Sequence, residues 1–317
     1  MPINADKPHL WKEDVGKSVD LFNNWFMRFA PQAYRETRLK VTEEVLQSLK
    51  RTDNLKHISP ERLAEHPNAL RTLRMCMLPP LARDRLIGLA YASKSMVETM
   101  EDRNELPMRM PREIAVENLT KLCSVISTML DIDIFPWIPE NREPSELEQY
   151  RASTIVADRL CGAVADPIVR NAQEERQLLL IKEFLTARGY SENQDPPATS
   201  IENLTPGTFK FRYIVRGGLD KQVRIPIDVV ISPLSKQESN LPILIEAKSA
   251  GDFTNTNKRR KEEATKVRQL EEAHGKRIKL VLFLCGYFDT GYLGYEAAEG
   301  LDWVWEHRID DLAFLGI

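Results

Sequence analysis

The chain has 317 residues, enough for two domains, with 44 Lys and Arg against 47 Asp and Glu and a net charge of −3. A hydrophobic share of 42% and a charged share of 29% match an ordinary globular protein and exclude a disordered or fibrous one. No apolar run is long enough to span a bilayer, and the opening MPINADKPHLWKED lacks the apolar stretch of a secretory signal. Cys76, Cys123, Cys161 and Cys285 stand far apart and the five histidines are scattered. Reduced thiols in a cytoplasmic protein are therefore expected, without a zinc site.

Residues 1 to about 190 read as helical. Trp11, Val15, Phe22, Phe26 and Phe29 recur at helical spacing up to an expected stop at Pro31. Ser59-Pro60-Glu61 carries the signals of a helix start. One helix is expected over about 80–102 and another after Pro111. The proline-rich run 131–144 reads as a loop, and Ser145 starts a helix to about 163. Asp166-Pro167 then caps a further helix, which ends at Gly189.

After SENQDPPATS the period changes from helical to alternating. Strand-like runs cover Phe209–Val215, Val223–Ile231, Leu241–Lys248 and Lys279–Cys285, with a polar helix over about 256–274 before the last. This order predicts an α+β or α/β module with a mixed sheet flanked by helices. The expected division is a helical domain, 1–165, and a mixed domain, 166–317.

One constellation carries chemistry. RIPIDVVIS holds Asp228, and LPILIEAKS follows with Glu246 and Lys248. Alternation puts Glu246 and Lys248 on one strand face, with Ile243, Ile245 and Ala247 on the other. A hairpin can bring Asp228 beside Glu246. Two carboxylates held together favour a cation between them, and oxygen ligands suit Mg²⁺. Lys248 is the only one of the 18 lysines preceded two positions earlier by an acidic residue. The plain alternative is a half-buried strand with a structural Glu–Lys pair, although both residue types are depleted from such strands.

IPID followed by IEAK resembles the core of the PD-(D/E)xK nucleases, with Asp228, Glu246 and Lys248 at its three motif positions and Ile227 in place of the motif's proline neighbour. The stretch AGDFTNTNKRRKEEATK, with RNAQEERQLLLIKEFL and the helical front, is similar to the XamI type of restriction endonuclease. That resemblance implies a type II enzyme that cuts both strands of duplex DNA at a short palindrome, such as GTCGAC, with Mg²⁺. It also implies a homodimer and a cognate DNA methyltransferase. In this superfamily a helix entering the module often adds a carboxylate near the metal, and Glu175 is the expected one. Arg176 and Gln177 could approach the DNA backbone.

The near-neutral total hides segregated charge. Residues 256–279 hold nine Lys and Arg against four Glu, whereas 280–317 hold seven acidic residues and one Arg. Asn255, Asn257, Lys258, Arg259, Arg260 and Lys261 at a helix start are candidate DNA contacts, to phosphates or to base edges. The alternative is a solvated helix laced with pairs such as Glu262–Lys266. His274 before Gly275 is expected to cap that helix, and Asp310 and Asp311 to cap a final one. Trp303 and Trp305 are expected in the core at the last sheet edge. A structure-specific repair endonuclease and a DNA-binding protein without catalysis remain open as other readings.

Overall fold

The computed structural model describes residues 2–194, 201–218, 223–234, 241–254, 256–275 and 277–317, with 202 and 256–261 described by backbone alone. Backbone contacts divide it into two compact units, residues 1–29 with 170–317, and residues 30–169. The first 29 residues, assigned by sequence to the helical domain, cluster with the sheet. Ile3 is buried there, Trp11 packs edge-on against Trp303, and the Ser18 hydroxyl accepts the Gly286 N–H at 2.8 Å.

Two long helices run through prolines that were expected to stop or start them. Helix α1 spans Pro8–Arg51 with Pro31 inside. Helix α7 spans Glu146–Ala187 with Pro167 inside. A proline removes one donor and leaves the carbonyl four residues back unpaired. Those carbonyls belong to Met27 and Ala163, both on exposed turns where water can take them. Ser145 does cap α7: its hydroxyl accepts from Glu148 N at 3.3 Å, and Glu148 Oε2 accepts the Ser145 N–H at 2.8 Å. Gly189, at φ +86, ends it as expected, in a conformation only glycine adopts freely.

In the helical unit, α2 (Pro60–Glu65) begins at the Ser59 cap and α3 spans Ala69–Met75. The single helix expected over 80–102 is two, α4 (Arg83–Ala90) and α5 (Lys94–Arg103). Tyr91 turns left-handed at φ +48 and the Ser93 hydroxyl caps the second by accepting from Met96 N. Helix α6 spans Arg112–Thr128. Leu70, Leu73, Met96, Leu122, Phe135 and Trp137 lie in one core. Arg74 and Glu101 are buried within the unit and joined by two hydrogen bonds of 2.6 and 2.9 Å.

The other unit is a six-stranded mixed sheet in sequential order. Its strands are β1 (Ser191–Glu192), β2 (Thr208–Gly217), β3 (Val223–Ser232), β4 (Ile243–Ala250), β5 (Lys279–Gly286) and β6 (Asp302–Trp305). The β2–β3–β4 pairs are antiparallel, and the β1–β2, β4–β5 and β5–β6 pairs parallel. Leu178, Ile181 and Leu185 of α7 cover one face, against Val229, Ile231, Ile245 and Phe283. Helices α8 (Thr256–His274) and α9 (Thr290–Ala298) cover the other, where Leu270 and Tyr292 meet Leu244, Leu282, Trp303 and Trp305. Both tryptophans are buried on edge strand β6, as expected. His274 contacts the Arg216 carbonyl on β2 at 2.8 Å. The chain closes in a 3-10 stretch, Glu306–Leu315, that begins before Asp310. Among the described residues, no helix is long and apolar enough to cross a membrane.

Candidate active site

Strand β3 pairs with β2 from Thr208↔Ser232 to Gly217↔Val223, but with β4 only through Val229↔Ile245, Val230↔Leu244 and Ile231↔Ile243. One step further Asp228 would face Glu246, and there the two strands part. β4 runs on beside β5 to Ala250↔Gly286. A backbone N–H released from a ladder needs another acceptor. For Ala247 that acceptor is Asp228 Oδ2, at 2.8 Å. The carboxylate thus stands where a β3 carbonyl would have been.

Alternation along β4 decides the rest. Ala247 joins Ile243 and Ile245 on the α7 face, while Glu246 and Lys248 project toward α8. Lys248 Nζ lies 3.0 Å from Glu246 Oε1 and 3.7 Å from Glu263 Oε1. A second ammonium, Lys266 of α8, donates to the same Glu246 Oε1 at 2.6 Å. The Tyr292 hydroxyl donates to Glu263 Oε2 at 2.6 Å. Glu263 is buried at 1% exposure and Glu246 at 5%. Glu246 Oε2 is buried with no hydrogen-bond partner among the described residues.

Burial, then the neighbouring Glu246 charge, pushes the Asp228 carboxyl up to about 6, against the lowering effect of the Ala247 N–H. Burial alone would lower the Lys248 ammonium. The carboxylates of Glu246 and Glu263 outweigh it and hold the group above its ordinary value. Lys248 is therefore a fixed positive charge at neutral pH, unsuited to removing a proton.

Helix α7 supplies the back of the site. The Gln177 amide donates to the Phe283 carbonyl at 3.3 Å and thereby ties the helix to β5. Glu175, expected beside the carboxylate pair, is exposed. Successive helical residues point about 100° apart, and it is Glu174 whose charge reaches Asp228. Glu174 also pairs with Arg212 of β2 at 3.3 Å. Arg176 lies 2.5 Å from Glu306 and over the Trp25 ring. Among the described residues no group of three or more His, Cys, Asp or Glu is arranged to hold a metal.

Sequence reasoning missed Glu263 and Lys266. Their spacing of three places them on one helix face, but Lys266 was paired with Glu262 on α8. Glu262 is exposed, and Lys266 reaches across to the sheet instead. Of the candidate DNA contacts, Asn255 lies outside the described residues. So do the side chains of Asn257, Lys258, Arg259, Arg260 and Lys261, whose backbone begins α8.

The model of the XamI restriction endonuclease family matches residues 53–305. The type II restriction enzyme SalI of Streptomyces albus G is 58% identical over 315 residues, 99% of either chain. No solved structure matches the chain. A match over most of the chain, joined to near full-length identity, decides among the three readings the sequence left open: the chain belongs to the XamI restriction endonuclease family and is a type II restriction endonuclease, a site-specific deoxyribonuclease.

Proposed function

We propose that the gap between β3 and β4 is the hydrolytic centre, with Asp228 and Glu246 as Mg²⁺ ligands and Lys248 beside the attacked phosphate. The observation that carries this reading is the buried, unpartnered Glu246 Oε2 close to a carboxyl raised to about 6. A divalent cation relieves both features, and an all-oxygen donor set suits Mg²⁺. When bound, Mg²⁺ supplies Lewis-acid polarisation of the phosphate and a more acidic water. Asp228 and Glu246 fix where that charge sits. The Lys248 ammonium, held between Glu246 and Glu263, orients a water and offsets negative charge as it develops on the phosphate oxygens. The Ala247 N–H keeps Asp228 turned into the gap.

The substrate follows from the family and the relative. Double-stranded DNA carrying a short palindrome, GTCGAC by resemblance, is cut in both strands. A palindrome suits a two-fold homodimer in which each subunit meets one half-site. The basic run from Asn255 to Lys261 contacts the duplex, and the helical region supplies dimer contacts, DNA contacts or both. The enzyme acts in the cytoplasm beside a methyltransferase that protects the same sequence. Four buried free cysteines are consistent with that compartment.

Digestion of a large sequenced phage DNA tests the reading. The parent protein gives discrete fragments ending at GTCGAC in Mg²⁺ and none in EDTA, and Asp228→Asn gives none in either. Cleavage by Asp228→Asn at the parent rate would remove the site assignment. Fragments ending at another sequence would remove GTCGAC alone.

A further inference from the structure

The β2–β3 ladder keeps one register throughout, yet a single pair is missing between Phe211↔Val229 and Tyr213↔Ile227. The missing pair is Arg212 with Asp228. Arg212 has φ +50, and it is the one non-glycine residue of positive φ inside a strand among the described residues. The strand turns over at this point. Phe209 and Phe211 pack on the α7 face, whereas Tyr213 and Val215 pack on the α8 face, although simple alternation would put all four on one side. β3 makes the same change across Asp228, with Ile225 and Ile227 on the α8 face and Val229 and Ile231 on the α7 face. The discontinuity that frees the Asp228 carboxylate from the ladder is thus shared with Arg212.

A left-handed turn alone is better served by glycine or asparagine. Strain of this kind persists at functional positions. The Arg212 side chain is 62% exposed, and its ion pair to Glu174 at 3.3 Å is of the solvent-screened type that contributes little to folding. Glu174 pairs with it and Asp228 stands opposite it in the ladder, where the charges of Glu246 and Glu174 already act on Asp228, and a phosphodiester approaching these carboxylates adds a further negative charge. Lys248 and Lys266 are both engaged with Glu246. Arg212 is more exposed than either, and its planar fork fits two phosphate oxygens.

We propose that Arg212 binds a backbone phosphate of the target strand at the cleavage site, exchanging Glu174 for phosphate oxygens when DNA enters. The proposal rests on the assignment of the hydrolytic centre to the Asp228–Glu246 gap. Arg212→Gly separates the side chain from the backbone strain, because glycine takes φ +50 freely. The test compares Arg212→Gly, Arg212→Lys and Asp228→Asn with the parent on a duplex the parent cuts, in single-turnover cleavage, binding in EDTA and thermal melting. Arg212→Gly is expected to melt at the parent temperature or above while its cleavage rate falls on the order of 100-fold. Its binding should weaken by less than about tenfold, since one phosphate contact of many is lost. Arg212→Lys should recover part of the rate by restoring the charge. Arg212→Gly cutting at the parent rate, with Asp228→Asn inactive, would overturn the proposal and leave the site assignment intact. A rate loss that follows a fall in melting temperature in both Arg212 variants would also overturn it, by assigning Arg212 to the fold. Cleavage by Asp228→Asn would instead overturn the assignment of the centre, and this proposal with it.

Discussion

Asp228→Asn should stop cleavage and stabilise the metal-free protein, and the second effect has a definite size and pH dependence. In the folded chain the carboxyl is raised from an ordinary 3.8 to about 6, first by burial and then by Glu246. That rise corresponds to about 3 kcal/mol of folding free energy lost when the group is ionised. Water entering the gap between β3 and β4 relieves some of it, so about 1–3 kcal/mol is expected. Asparagine retains a side-chain oxygen to accept the Ala247 N–H, so the hydrogen bond is not forfeited with the charge. Below pH ~3 the carboxyl is protonated in both folded and unfolded chains and carries no penalty. As pH rises from about 4 to 6 the unfolded chain releases the proton first, and the parent loses stability relative to the variant. Above about 6 the full difference remains. Thermal melting in EDTA at pH 3 and pH 8 measures it: the variant should melt a few degrees higher at pH 8 and at the parent temperature at pH 3. Mg²⁺ should raise the melting temperature of the parent and not of the variant. Equal gains at both pH values, or a variant less stable at pH 8, would refute a carboxylate held against its own charge.

Glu246→Gln should behave in the opposite way. It also stops cleavage, but it leaves Lys248 and Lys266 without their shared carboxylate and so lowers the melting temperature. The loss should lie near the low end of the about 3–5 kcal/mol that follows removal of one partner from a buried pair, because both ammonium groups retain some exposure. Cleavage by the parent at limiting Mg²⁺ should fall as pH drops through about 6, where Asp228 takes up its proton. The midpoint should move lower as Mg²⁺ is raised, since metal and proton compete for one carboxylate, and a midpoint indifferent to Mg²⁺ would detach the profile from Asp228. Arg74→Ala, in the helical unit, strands the buried Glu101 carboxylate and should cost about 3–5 kcal/mol in denaturant melts. A loss below about 1 kcal/mol would show that the bidentate pair contributes little.

The sequence carried the elements that obey one local rule at a time. Strands alternate with period two, so IEAK alone placed Glu246 and Lys248 together and Ala247 behind them. Caps are local as well, and Ser59 and Ser145 were readable from their neighbours. The same rules misread the two long helices. The penalty of a proline depends on whether the orphaned carbonyl is wet, and the exposure of Met27 and Ala163 is a tertiary fact. The phase of α7 toward the sheet is another. Nothing in QEERQ tells Glu174 from Glu175 until Gln177 is seen anchored to Phe283. Lys266 fits an i,i+4 pair within α8 as well as it fits Glu246, and only the distance across to β4 decides between them.

The site therefore forms where local regularity gives way. Had the β3–β4 ladder continued one pair further, the Ala247 N–H would have met a carbonyl, and Asp228 would have been free to turn to solvent. Had Arg212 taken the β conformation, β2 and β3 would have kept one face each, and Tyr213 and Ile227 could not share a core with Leu282 and Trp303. Both departures disfavour folding locally, and so does the unpartnered Glu246 oxygen. They persist because the two cores flanking the sheet over-determine the backbone between them. A stable fold alone would have no use for converging carboxylates, a left-handed arginine and an unsatisfied oxygen on three neighbouring strands. On the proposed reading, a divalent cation meets the carboxylates and the unpartnered oxygen, and a phosphate takes the arginine from Glu174.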